Sequence, residues 1–139
     1  MSTLHLTKDT TTADGMRQKI DLAGFTIHTD VSIAAGGSGS APGPHDLFDA
    51  SLAACKALTL TLYARRKGWP LDHVDVSLTS DASAEREGKY KLDVALTLHG
   101  NLDETQRTQL LAVADKCPIH KLMTTATIEV STRLADEAA

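Results

Sequence analysis

The sequence predicts an α+β domain with helices packed on antiparallel sheet. Three features carry that expectation. Pro44–Lys67 is long and almost wholly apolar, with helix punctuation at both ends. His73–Ser80 and Tyr90–Gly100 alternate like half-buried strands around the charged turn "DASAEREGK". Finally, "NLDETQRTQLLAVADKC" places apolar residues at helical spacing behind a capping aspartate. At 139 residues the chain has the length of one domain, 1–139, large enough for a real core.

Taken in order, "MRQKIDLAGFTIHTDV" reads as two short strands, Met16–Asp21 and Phe25–Val31, with Ala23-Gly24 as the turn. "AAGGSGSAPGP", Ala34 to Pro44, has the glycines of a phosphate cradle. It lacks the GK[ST] ending and follows no long buried strand, so a plain flexible connection is expected. In the long helix, Pro44 suits the first helical position and Asp46 the positive end of the dipole. Arg65, Arg66 and Lys67 complement the other end, Gly68 suits a left-handed cap, and Pro70 forbids continuation. Leu47, Phe48, Leu52, Cys55, Leu58 and Leu62 recur at steps of three and four with alanines between them, predicting a helix buried on most sides. In the second helix Asp103 is the N-cap and Gln106 completes a capping box. Leu110, Leu111, Ala114 and Cys117 share its apolar face, and Pro118 is expected to end it. "ATIEVSTRL", Ala126 to Leu134, reads as a last strand.

Composition narrows the function. A net charge of -4, from 14 basic and 18 acidic residues, argues against nucleic-acid binding, as does an aromatic content of 4%. "MSTLHLTKDT" does not have the form of a secretory signal, and Asp49, Ser51 and Lys56 interrupt the longest apolar segment, so no membrane span and a cytoplasmic location are expected. There cysteines stay reduced unless they are redox-active, and two suffice for one redox pair. His28, His73 and His99 read as surface residues at strand ends. Tyr63 and Trp69 read as packing under the helix end.

The ordinary reading of each cysteine is a small buried hydrophobe. Both, however, fall on helix faces that could meet. Lys56 stands beside one, and Lys116, His120 and Lys121 surround the other. Their separation is too long for a CxxC motif, so any pairing is tertiary. A structural zinc site needs four ligands, usually as two close pairs. His45, Cys55, Cys117 and His120 offer one, so no metal or cofactor is expected.

The runs "GPHDLFDASLAACKALTLTLYARRKGWPLDHVDVSL" and "ADKCPIHKLM" resemble the OsmC/organic hydroperoxide resistance family, over most of the chain from about Asp14 to Arg133. The resemblance implies an OsmC-like fold, with a long buried central helix in an intertwined homodimer that has two sites at its interface. It implies a thiol-dependent peroxidase acting on organic hydroperoxides, with Cys55 as peroxidatic nucleophile, Cys117 as resolving thiol and an external dithiol as reductant. Family peroxidases place glutamate where His45 stands here, and Asp46, one position on, takes the carboxylate role. Arg17 is the nearest match for the family's N-terminal arginine. The family also holds members of unproven function, so a stress-associated binding or structural dimer with retained cysteines is the second reading.

A buried thiol ionises only with help from a nearby cation, which Arg17 or a protonated His45 would supply to Cys55. A cysteine at the C-terminal end of a helix meets the negative end of the dipole, so Cys117 is expected to have a raised pKa. His45 and Asp46 precede Cys55 by roughly 13–15 Å of helix, which keeps them off the thiol of their own chain and calls for a second subunit.

Overall fold

The computed structural model describes residues 2–11 and 15–135, so Asp14, where the resemblance begins, lies outside them. The chain divides into two compact units, Met1–Ser51 and Leu52–Ala139.

The first unit is a three-stranded antiparallel sheet in the order β1 (Leu4–Lys8), β2 (Gln18–Leu22), β3 (Phe25–Thr29). Ile20 of β2 pairs with Leu6 on one side and Ile27 on the other and is buried between them. The β2–β3 turn falls where the sequence puts it. Ala23 (φ 51) and Gly24 (φ 83) both take positive φ, as a two-residue hairpin turn matched to strand twist demands. β1 has no counterpart among the strands expected from sequence, because five residues with two exposed leucines carry little pattern until β2 supplies a ladder.

The Gly/Ser/Pro segment is not a plain flexible connection. The buried Asp30 carboxylate accepts bonds from Ser40 Oγ (2.7 Å), Val31 N (2.8 Å), Ser40 N (3.1 Å) and Ser38 N (3.3 Å). Thr29 Oγ1 donates to the Pro42 carbonyl at 2.7 Å. Gly37 lies so close to β3's exit that an added Cβ would come within 2.3 Å of the Val31 carbonyl oxygen. Backbone N–H groups left unpaired by the lack of regular structure are thus gathered on one carboxylate.

The long helix α1 (Pro44–Lys67) starts in the first unit and runs into the second, which continues with the antiparallel hairpin β4 (Leu71–Asp81) and β5 (Lys91–Gly100), then α2 (Glu104–Ala114) and α3 (Pro118–Thr124). Both ends of α1 match expectation: Gly68 takes φ 71, and Trp69 N donates to the Ala64 carbonyl at 2.9 Å. Leu60, Ala64, Leu110 and Ala114 form the core, covered by Val74, Leu96 and Leu98 from one face of the hairpin. Tyr63 and Trp69 pack edge to face at 5.6 Å against the same core. By length and composition α1 could also cross a bilayer, with a mean hydropathy of 1.2 over its most apolar stretch, yet Leu60 and Ala64 use it as a packing helix.

Four expectations need correction. The buried stripe of α1 is Leu52, Lys56, Leu60 and Ala64, while Leu58 (63% exposed), Leu62 and Phe48 face solvent. One chain covers one face, and an all-round apolar helix does not say which. Leu111 is exposed as well, although Leu110 and Ala114 are buried. The second helix stops at Ala114, and Pro118 opens α3 instead of closing α2, since proline at the first helical position forfeits no hydrogen bond. Finally, Ala126–Leu134 forms neither helix nor strand. Ile128 and Val130 are exposed there, and a strand needs a neighbouring strand to satisfy its backbone.

Candidate functional site

Cys55 sits in the middle of α1, half-buried, with Sγ 3.9 Å from Thr59 Oγ1 one turn on. Cys117 is fully buried and caps α3, where its sulfur accepts a bond from His120 N at 3.4 Å. Both thiols are free, and no disulfide joins them. The Cys117 thiol is pushed up, as expected, but by a different cause. Burial is the main reason, and Cys55 nearby adds to it. The His120 N–H bond and the Lys56 charge work in the opposite direction. Cys117 is at the start of a helix and not at the end of one, so the helix dipole does not supply the upward push.

Beside Cys117 lies a buried lysine. Lys56, 3% exposed, donates from Nζ to the Ala114 carbonyl at 2.8 Å and meets His120 Nδ1 at 3.0 Å, with Asp115 Oδ1 at 3.5 Å. An ammonium has no lone pair, so His120 Nδ1 is the acceptor and the ring proton is on Nε2. Lys56 therefore ties α1 to the end of α2 and the start of α3, around Cys117. Sequence reasoning set Lys56 beside Cys55 and His120 beside Cys117 without joining them. A signal existed in the four-residue spacing Leu52, Lys56, Leu60, Ala64, which puts the lysine on one stripe with apolar residues.

The other predicted site residues belong to the first unit. The Arg17 guanidinium is held by the buried Asp9 carboxylate, with Nε donating at 2.7 Å and the second contact at 2.6 Å. Bonds from Thr11 and from Arg17 bring Asp9 down to about 2. His45 and Asp46 lie exposed in the first turn of α1, where Asp46 Oδ2 accepts from Gly43 N at 2.9 Å. α1 is unbroken from Pro44 to Lys67, so ten helical positions separate His45 from Cys55 in one chain. The structure brings the two cysteines, Lys56 and His120 into one unit and leaves Arg17, His45 and Asp46 in the other.

A family model described as OsmC-like protein matches residues 36–133. Among solved structures, a proposed osmotic-stress-induced and detoxification-response protein of Psychrobacter arcticus superposes with a TM-score of 0.74 at 23% identity, covering 90% of each chain. An OsmC-like protein of Mycoplasma pneumoniae gives 0.71 at 18% identity over 90% of this chain and 88% of that one. The organic hydroperoxide resistance protein OsmC of Legionella pneumophila gives 0.63 at 22% identity over 90% of each. These likenesses establish the α+β fold with its antiparallel sheets. No curated protein matches the chain.

Proposed function

We propose, on the premise that this chain belongs to the OsmC-like protein family, that it reduces organic hydroperoxides with two cysteines. The observation that carries the reading is the contrast between the thiols. Cys55 is partly open and stands at the family's nucleophile position. Cys117 is buried and held as a thiol in the same unit. A protonated, sheltered thiol does not compete for peroxide, yet it can attack a sulfenic acid once one forms.

The Cys55 thiolate attacks the distal oxygen of ROOH. The O–O bond breaks, and the alkoxide leaves and takes a proton to become the alcohol. Cys55 is left as a sulfenic acid. The Cys117 sulfur then bonds to Cys55 as water departs, and an external dithiol returns the disulfide to two thiols. Arg17, His45 and Asp46 are the groups to set the nucleophile's charge, delivered by a second copy of the chain. Exposed Phe48, Leu58 and Leu62 on α1 support such a homodimer, because a solvated apolar helix face is costly. Two free thiols suit the reducing cytoplasm.

A second reading, a non-catalytic binding or structural dimer, is favoured by His45 in the glutamate position and by Arg17 being already paired with Asp9. Consumption of cumene hydroperoxide with dithiothreitol separates the two. Peroxidase chemistry requires that Cys55→Ser abolish turnover and that Cys117→Ser support one round, leaving a sulfenic acid trappable by dimedone. No turnover in the native protein selects the second reading, and full turnover in Cys55→Ser refutes Cys55 as the nucleophile.

A further inference from the structure

Three metal-ligating side chains outside the thiol site converge on the hairpin. His73 of β4 and His99 of β5 are directly paired across the strands, and Asp75 follows His73 by two residues. Period-two alternation puts all three on the same face of the ribbon. The two imidazole rings stack with centroids 4.1 Å apart and planes 7° from parallel. Both aim Nε2 at the same atom: Asp75 Oδ2 is 2.6 Å from His99 and 4.0 Å from His73. Each of the three offers one ligand atom, and these atoms all lie within 4.8 Å of one another.

We propose that His73, Asp75 and His99 bind a divalent transition metal of the zinc class on the outer face of the β4–β5 hairpin. Ligands about 2 Å from a tetrahedral zinc ion stand about 3.3 Å apart, and the two contacts to Asp75 Oδ2 straddle that spacing. Rotation of these exposed side chains supplies the adjustment, and the ion takes the place of the proton that His99 Nε2 donates to Asp75. Two imidazoles and one carboxylate suit zinc, copper or nickel better than calcium or magnesium, which prefer all-oxygen shells. Three protein ligands leave a fourth position open to water or an external donor. The backbone is already paired through the register His73↔His99, so the site costs little ordering beyond its side chains.

This site is separate from the cysteines. Val74, Leu96 and Leu98, on the opposite face of the same ribbon, pack on the core formed by α1 and α2. Binding of a metal here departs from the sequence expectation of no metal, which weighed only His45, Cys55, Cys117 and His120. His73 and His99 are surface residues, as anticipated, but they are not isolated ones.

The test is calorimetric titration of tag-free, full-length protein with zinc chloride, under a phosphine reductant that does not itself hold zinc. One zinc per chain is expected in the native protein and equally in the Cys55→Ser/Cys117→Ser double variant. His99→Ala and His73→Ala should each weaken binding ~10-fold or more, since even the loss of an outer partner of a ligand costs that much. Far-UV circular dichroism confirms folding, and His99→Gln, which keeps bulk and polarity on the strand, decides the matter if the alanine variants fold poorly. Cobalt bound to the native protein should show d–d bands without thiolate charge transfer. Unchanged affinity in the histidine variants, loss of binding in the cysteine variant, or no binding at millimolar zinc would each overturn the proposal.

Discussion

Replacing Lys56 by methionine keeps the buried stem and removes only the ammonium. The native head group donates to the Ala114 carbonyl at 2.8 Å and to His120 at 3.0 Å, and each such charge-assisted bond contributes about 1.5–3 kcal/mol. Against this stands the desolvation of a buried ammonium, several kcal/mol by order of magnitude, which methionine relieves. The Asp115 contact adds little, because that carboxylate is 74% exposed. What decides the sign is the acceptors left behind. A buried carbonyl and an imidazole lone pair lose their donor, at about 1–3 kcal/mol for each group unsatisfied. Lys56→Met is therefore expected to destabilise by about 1–2 kcal/mol. Lys56→Ala removes a further methylene, the thioether sulfur and a methyl, three apolar heavy atoms at about 0.8 kcal/mol each, and should fall another ~2.4 kcal/mol below methionine. Urea denaturation at pH 7, reading the midpoint at constant slope, measures both steps. Because the Lys56 charge holds the Cys117 thiol down, methionine should also slow alkylation of Cys117 by iodoacetamide in the folded protein. A methionine variant as stable as the native protein, with unchanged Cys117 reactivity, would refute the account of Lys56 as the tie between α1, α2 and α3.

Two further outcomes are expected from the first unit. Ala23 holds φ 51 on the surface, a conformation that costs a non-glycine residue about 1–2 kcal/mol. Ala23→Asn, which builds the preferred Asn-Gly turn, should raise stability by roughly 0.5–1 kcal/mol, read as a higher melting temperature. Bonds from Ser40 first, and then from Val31 and Ser38, bring the Asp30 carboxyl down to about 2 from its ordinary 3.8. Its folded value lies below its unfolded one, so its contribution is complete above about pH 4 and is lost as pH falls through about 2. Asp30→Asn should flatten the acid limb of a stability-against-pH curve between those values, and an unaltered limb would mean that the carboxylate does not hold the loop.

What could be read from the sequence was local. The caps of α1, the Ala23-Gly24 turn and the Asp103–Gln106 capping box each depend on residues within a few positions of one another. Their bonds are found where the sequence puts them, with Gln106 N donating to Asp103 at 2.8 Å and Gln106 Oε1 accepting from Asp103 N at 3.0 Å. The positions of the two cysteines, and the family they indicate, belong to the same class, because spacing along the chain is all they require. The phase of α1 was not legible. A helix that is apolar all round gives no preferred face, so only tertiary packing could select Leu52, Lys56, Leu60 and Ala64 and leave Leu58 and Leu62 to solvent. Pro118 is compatible with ending one helix or starting another, and the break after Ala114 resolved it, turning Cys117 from a helix terminus into a cap. Asp30 became the organiser of its loop by gathering N–H groups that no local pattern assigns to it. The contacts of the candidate sites join residues far apart in the chain: Lys56 to Ala114 and His120, and His73 and Asp75 to His99. Such pairs depend on strand register and helix packing, which arise from the burial of many side chains at once, and no short stretch of sequence encodes them.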